Sequence, residues 1–272
     1  AARQRRRAAV VTAALPVPRG ARIARASIGS VACDRVVGRG VRATRTIVYL
    51  HGGGYVIGSP RSHRGLAVRL STLTEAEVVL PDYRLAPEHP HPEALDDVSA
   101  VLRGLRSGPG GPVAVVGDSA GGGLALAAAQ AAVAEKRDAP AAVALICPWV
   151  DLLADVDGTR AVDPREPLLT RDGLRGWAAA YLAGADPRRP TASPARGALD
   201  GLPPTLVHSA GLDPLAPDAR RLVDALRDHG VAVEHRHDDD LWHVFHLAAG
   251  LLRRADEALI GLADFLRRHS GP

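Results

Sequence analysis

The chain has 272 residues, enough to bury a sizeable core, and its 46% hydrophobic and 24% charged residues are ordinary for a folded globular protein. No apolar run approaches the roughly 18–20 residues that span a bilayer, so no membrane span is expected. The net charge of +4 rests on arginine, with Lys136 the single lysine, and acidic residues are mixed in along most of the chain. Aromatics are only 3%, which leaves few platforms for base stacking, so nucleic acid is not an expected partner.

Arg3, Arg5, Arg6 and Arg7 form the densest basic cluster, ahead of a short apolar run closed by Pro16 and Pro18. The segment is a weak likeness of a secretory leader without a small-x-small cleavage site. It reads as an amphipathic N-terminal helix and a solvated arginine-rich surface on a cytoplasmic protein. The chain does not begin with Met, and a trimmed N-terminus is expected. Cys33 and Cys147 lie far apart with no CxxC motif, so two buried thiols are expected rather than a disulfide or a zinc site.

Two early strands are expected within 22–41. Ile47 to Leu50 is the next strand, and it runs into His51-Gly52-Gly53-Gly54-Tyr55. Three glycines leave backbone N–H groups unshielded, so the loop can aim donors at a developing oxyanion. Gly52 and Gly53 are the candidates, with Gly54 able to replace one of them, and His51 is expected to fix the loop. A helix over 62–75, a strand over Val78 to Leu80 and a helix over 93–107 follow. The strand Val113 to Val116 then leads into Gly117-Asp118-Ser119-Ala120-Gly121 and a helix over 120–136. This is G-x-S-x-G in strand–turn–helix context, which exposes a serine at the C-terminal edge of a sheet. Ser119 is the candidate nucleophile, Ala120 N–H the second oxyanion donor, and Asp118 is expected to point away.

Val143 to Ile146 is the next strand. Residues 151–201 break the rhythm: Pro, Gly, Asp and Arg are frequent, no strand is expected, and one helical patch covers Leu174 to Leu182. This reads as an insertion over the sheet edge, with Trp177 and Tyr181 as pocket-lining candidates that could equally be packing aromatics. The strand Thr205 to Ser209 precedes Asp213, the candidate acid, with Asp218 the alternative inside the helix over 216–229. The last strand, Val231 to His237, precedes His243, the candidate base, with His246 the alternative nearer the final helix over 249–269. The order Ser, acid, His is the one this arrangement requires. His235 and His237 alternate before three aspartates and read as a solvated strand and acidic turn, so no metal site is assigned. Continuously apolar strands alternating with helices predict an α/β protein: a mostly parallel sheet covered on both faces.

HGGGY and GDSAGG, with Asp82-Tyr83-Arg84-Leu85-Ala86-Pro87-Glu88, SAGLDPL around Asp213 and His-x-Phe at His243, together resemble the bacterial hormone-sensitive-lipase-like carboxylesterases. The resemblance runs from about residue 45 to the end. It implies the α/β-hydrolase fold and a cofactor-free Ser119–His243–Asp213 hydrolysis of short- to medium-chain acyl esters. The expected partner is a small-molecule ester, with a homodimer as the candidate assembly. An amidase, lactonase or acyltransferase would use the same groups, and the similar plant gibberellin receptors lack the catalytic histidine. Two departures stand out. Val244 occupies a position where the family often has Gly, which should alter the loop backbone. Only 50 residues precede the HGGG loop, so one domain over 1–272 is expected to carry a reduced cap built from about 1–21 and 151–201, leaving a more open acyl site.

Overall fold

A computed structural model describes residues 5, 16–106, 111–136, 139–156 and 160–271. Its central strands are the short apolar runs of the sequence. β3 (Arg45–Leu50), β4 (Ala76–Pro81), β5 (Val113–Asp118), β6 (Val143–Ile146) and β7 (Thr205–Ala210) are buried along almost their whole length. Strands covered on both faces need no polar alternation, so they read as continuous Val, Ile, Leu and Ala. The edges are different. β1 (Arg22–Ile28) and β8 (Val233–Asp238) are only partly buried and carry Arg22, Arg25, Glu234 and Arg236, charges that discourage pairing with another chain.

The eight strands form one sheet in the order β1-β2-β4-β3-β5-β6-β7-β8, with β2 (Val31–Val37) second. β1 pairs antiparallel to β2 and β2 to β4; all later neighbours are parallel. The parallel register sets Leu50 opposite Gly117, and Asp118 opposite Ile146, itself opposite His208. The chain therefore leaves β3, β5, β6 and β7 along one common edge, where His51, Ser119 and Cys147 follow directly.

Helices α1 (Pro60–Thr74), α2 (Glu93–Arg106), α3 (Ala120–Ala134), α6 (Ala216–Asp228) and α7 (Arg253–His269) cover the two faces. Two separate apolar clusters result. One gathers α2, α3 and α6 around Val48, Val115 and Val207, and the other gathers α1 and α7 around Ile47, Val116 and Leu206. α3 is the central helix, and its Ala-Gly-Leu sequence is apolar all round because it is buried on nearly every side. Leu124 and Leu126 are essentially inaccessible, each contributing roughly 1.5–3 kcal/mol relative to exposure.

The insertion behaves as the sequence suggests. It holds α4 (Leu153–Val156), α5 (Arg171–Leu182) and a short 3-10 helix (Pro194–Arg196), with no strand among its described residues. α5 starts where the Thr170 side chain accepts the Gly173 N–H at 3.1 Å, and it stops at Ala183, which takes a left-handed conformation ahead of Gly184. The other expected cap element, 1–21, lies outside the described residues apart from Arg5 and 16–21.

Candidate active site

Ser119 sits between β5 and α3 with φ +54° and ψ −121°, a combination that strains a non-glycine residue and recurs at reactive turns. The turn is held from both sides. Ser119 N–H donates to Ile146 O at 2.9 Å, and Ser119 O accepts the Trp149 N–H at 2.8 Å. The neighbouring glycines are required by close approach: a Cβ on Gly117 would collide with the backbone of Gly121, and one on Gly121 with the Leu50 carbonyl. Asp118 also borders the cavity onto which Ser119 opens, and its carboxylate is held by partners other than Ser119. Tyr49 Oη donates to it at 2.9 Å and His63 Nε2 lies 3.1 Å from the same oxygen. Burial pushes the Asp118 carboxyl up, but His63, Tyr49 and His51 outweigh that and hold it below the usual carboxylate value.

The 51–58 loop is braced from beneath. His51 Nδ1–H donates to Gly52 O at 2.8 Å, while Tyr83 Oη donates to His51 O at 2.7 Å and its ring stacks on the imidazole at 4.3 Å. Burial, followed by the neighbouring His63, depresses the His51 imidazole to about 4, so the ring is neutral and structural. Ala86 N–H donates to Tyr55 O at 2.9 Å. The Asp82–Glu88 segment thus serves as the foundation of this loop, a role its sequence alone did not reveal. Arg5 reaches the same place: its guanidinium donates to Val56 O and Ala86 O, both at 2.7 Å, and pairs with Glu88. It is a loop contact rather than part of a solvated basic surface.

Asp213 and His243 come from the loops after β7 and β8. His243 Nδ1 donates to Asp213 Oδ2 at 2.9 Å, and Asp213 Oδ1 accepts the Leu215 N–H at 2.8 Å. With Nδ1 committed as a donor, Nε2 is left as the basic nitrogen. Burial lowers the His243 imidazole, but Asp213 and then Glu166 overcome it, and the net effect is upward from the ordinary value. The alternatives are engaged elsewhere. His246 Nε2 faces His208 Nδ1 at 3.1 Å, with His208 Nε2 bonded to Asp238. Asp218 pairs with Arg160 at 2.6 Å and with Arg221. His235 and His237 both bond the Ser209 hydroxyl, at 2.8 and 2.7 Å.

Val244 adopts φ +51° and ψ +38°, the left-handed conformation that glycine takes freely. The β-branched side chain carries the strain of that conformation.

Ser119 and His243 open onto one cavity of about 230 Å³, and Gly52, Gly53 and Gly54 line it as well. Its apolar wall includes Leu168, Leu169, Trp177, Val244 and Leu247. Ala120, fully buried, begins α3 immediately after Ser119. Trp177 borders the cavity, with its ring close against Gly54. Tyr181 does not reach the cavity. It is 1% exposed and stacks on Tyr55 at 3.7 Å, which anchors α5 to the glycine loop from behind.

Glu166 is the residue that sequence reasoning missed. Its carboxylate is buried; Oε2 accepts the His243 N–H at 2.8 Å, while Oε1 accepts the N–H groups of Leu168 at 2.7 Å and Leu169 at 3.2 Å. Nothing in Asp163-Pro164-Arg165-Glu166-Pro167 marks it apart from an acid flanked by prolines. Among the described residues, Cys147, Asp213 and His243 form one set of donors within 4.8 Å of one another, but Asp213 and His243 are already bonded to each other.

The family described as the alpha/beta hydrolase fold matches residues 47–247. LipR of Mycobacterium tuberculosis is 40% identical over 96% of this chain and 85% of its own. An acetyl-hydrolase of Streptomyces hygroscopicus is 42% identical over 84% of this chain and 77% of its own. The crystal structure of an esterase from the bacterial hormone-sensitive lipase family superposes with a TM-score of 0.93 at 34% identity, covering 98% of this chain and 91% of that one.

Proposed function

The chain belongs to the bacterial hormone-sensitive-lipase-like esterases of the α/β-hydrolase family, and we propose that it hydrolyses short- to medium-chain acyl esters through Ser119, His243 and Asp213. The observation that carries this reading is the Asp213–His243 hydrogen bond, whose histidine shares a cavity with Ser119.

A serine hydroxyl is a weak nucleophile, so it needs a base, and the base needs an orienting acid. His243 Nε2 takes the Ser119 proton as Oγ bonds to the ester carbonyl carbon. Asp213 holds the ring in the required tautomer and stabilises the imidazolium. The negative charge that develops on the carbonyl oxygen falls to the N–H groups of Gly52, Gly53 and Ala120, with Gly54 a substitute for one of them. Each such donor contributes about 3–4 kcal/mol to the transition state. As the tetrahedral intermediate collapses, the C–O bond to the alcohol breaks and His243 protonates the departing oxygen. Water, deprotonated by the same histidine, attacks the acyl-enzyme and releases the acid and free Ser119.

The modest apolar cavity supports short to medium acyl groups, and the similarity to an esterase of the hormone-sensitive lipase family favours ester hydrolysis over amide or lactone chemistry. We treat the 272 residues as one hydrolase domain with a reduced lid: its described part is the twelve-residue α5 and the four-residue α4. The test is hydrolysis of p-nitrophenyl acyl esters of increasing length. Ser119→Ala should abolish turnover, and His243→Ala should do the same while His246→Ala retains it. Unchanged turnover in Ser119→Ala would sink the assignment.

A further inference from the structure

Glu166 joins two parts of the site that are far apart in sequence. One carboxylate oxygen holds the main chain of the base, and the other holds the main chain of the two leucines in the apolar wall. We propose that Glu166 is a positioning residue that clips the lid loop to the catalytic base, fixing His243 for proton transfer and closing the acyl wall against it. The proposal deepens the esterase reading and rests on His243 being the base.

Three observations support a functional rather than a merely structural clip. The first is that all three bonds run to backbone N–H groups, so the carboxylate fixes chain position and not just packing. The second is reach: residues 166 and 243 are separated by 77 positions, and the clip links the insertion to the loop after β8. The third is electrostatic. The groups that act on the buried His243 are Asp213 from the loop after β7, Glu166 from the lid and Asp118 from β5. Cys147 after β6 and His246 on its own loop are further titratable neighbours among the described residues. Asp213 acts most strongly in favour of the imidazolium, and Glu166 is the next charge.

Two conservative changes separate geometry from charge. Glu166→Gln keeps the length but removes the charge and turns one oxygen into an N–H₂ donor, which must then face a backbone N–H on one side of the clip. Glu166→Asp keeps the charge but is one methylene too short to hold both sides. In the full chain, with p-nitrophenyl acetate, Glu166→Gln should lower kcat roughly tenfold, below the hundredfold that a displacement of about 1 Å can produce. It should also move the acid limb of kcat/KM down by roughly 0.5 to 1 pH unit, at or below the lower end of what one opposite charge contributes at close range. Glu166→Asp should lose kcat with the limb in place.

Wild-type kcat and an unmoved limb in both variants would overturn the proposal. So would lowered melting temperatures with wild-type kinetics, since that is the mark of a structural residue alone. If the Gln variant does not fold, the Asp variant still decides, because a wild-type kcat there refutes the clip. Ser119→Ala is assayed alongside. Turnover in that variant would defeat the esterase mechanism itself, whereas a dead Ser119→Ala with an indifferent Glu166→Gln would defeat only the clip.

Discussion

Val244 offers a direct measure of the strain stored beside His243. In the left-handed region a residue with a Cβ is disfavoured by about 1–2 kcal/mol, and glycine is not. Against that, glycine makes the unfolded chain more flexible, which disfavours folding by about 0.4–1 kcal/mol relative to alanine. Val244 is buried, so glycine also forfeits one more carbon of packing than alanine does, roughly 0.8 kcal/mol. These contributions nearly cancel. Val244→Gly and Val244→Ala should therefore be equally stable to within about 0.5 kcal/mol. At Val48, buried in the centre of β3 with ordinary strand geometry, no strain is relieved and glycine should fall below alanine by about 1.5 kcal/mol. The assay is thermal denaturation of the four variants, where one kcal/mol corresponds to roughly 2 °C for a protein of this size. A glycine–alanine gap at Val244 as large as that at Val48 would refute the claim that valine holds the loop under strain.

Arg160 makes a second test. It is 5% exposed and is bonded to Asp155, Asp218 and the Pro214 carbonyl, beside Asp213. Arg160→Met removes the buried cation between two buried carboxylates, leaving Asp155 with the Trp149 indole N–H and Asp218 with the largely exposed Arg221, and should destabilise the fold by about 3–5 kcal/mol, on the order of 10 °C in melting temperature; a loss below about 1 kcal/mol would show the network to be dispensable. The pH profile makes a third. Because the proposed base must be neutral and Asp213 raises His243, the acid limb of kcat/KM should lie above the ordinary histidine value of 6.5. The same raised value means that the pair stabilises the fold below the unfolded pKa of histidine, and that this contribution is lost as pH rises through the folded one. Asp213→Asn leaves burial dominant, so the limb should move below 6.5 as kcat falls by roughly 10⁴. A limb that stays above 6.5 in that variant would contradict the assignment of the acid.

Much of this architecture can be read locally. Continuous Val-Ala-Val-Val or Val-Ala-Leu-Ile runs can satisfy their hydrophobic surface only between two layers of helix, so they announce a parallel sheet. G-x-S-x-G and HGGG announce themselves because close backbone approach leaves room only for glycine, as the collisions around Gly117 and Gly121 show. What is not legible depends on how distant segments meet. Trp177 and Tyr181 are four residues apart on α5 and share a face, yet one borders the cavity and the other stacks on Tyr55 behind it. β5 runs on to Asp118 because Ile146 pairs with it, a fact held by another strand. Glu166 is invisible for the same reason: its partner lies 77 residues away, and a lone acid in a proline-rich loop has no periodic signature. Val244 shows the limit of inferring backbone from side chain, since a valine can be forced where a glycine is expected.

The central claim is that Ser119 becomes covalently acylated. The most direct measurement mixes the protein with excess p-nitrophenyl acetate, quenches in acid during turnover, and maps the modified peptide by mass spectrometry. The account predicts one acetyl group on Ser119, absent from Ser119→Ala and accumulating faster than it is lost when water attack is slowed. Steady hydrolysis with no acetyl on Ser119, or acetylation of another residue that persists in Ser119→Ala, would contradict it.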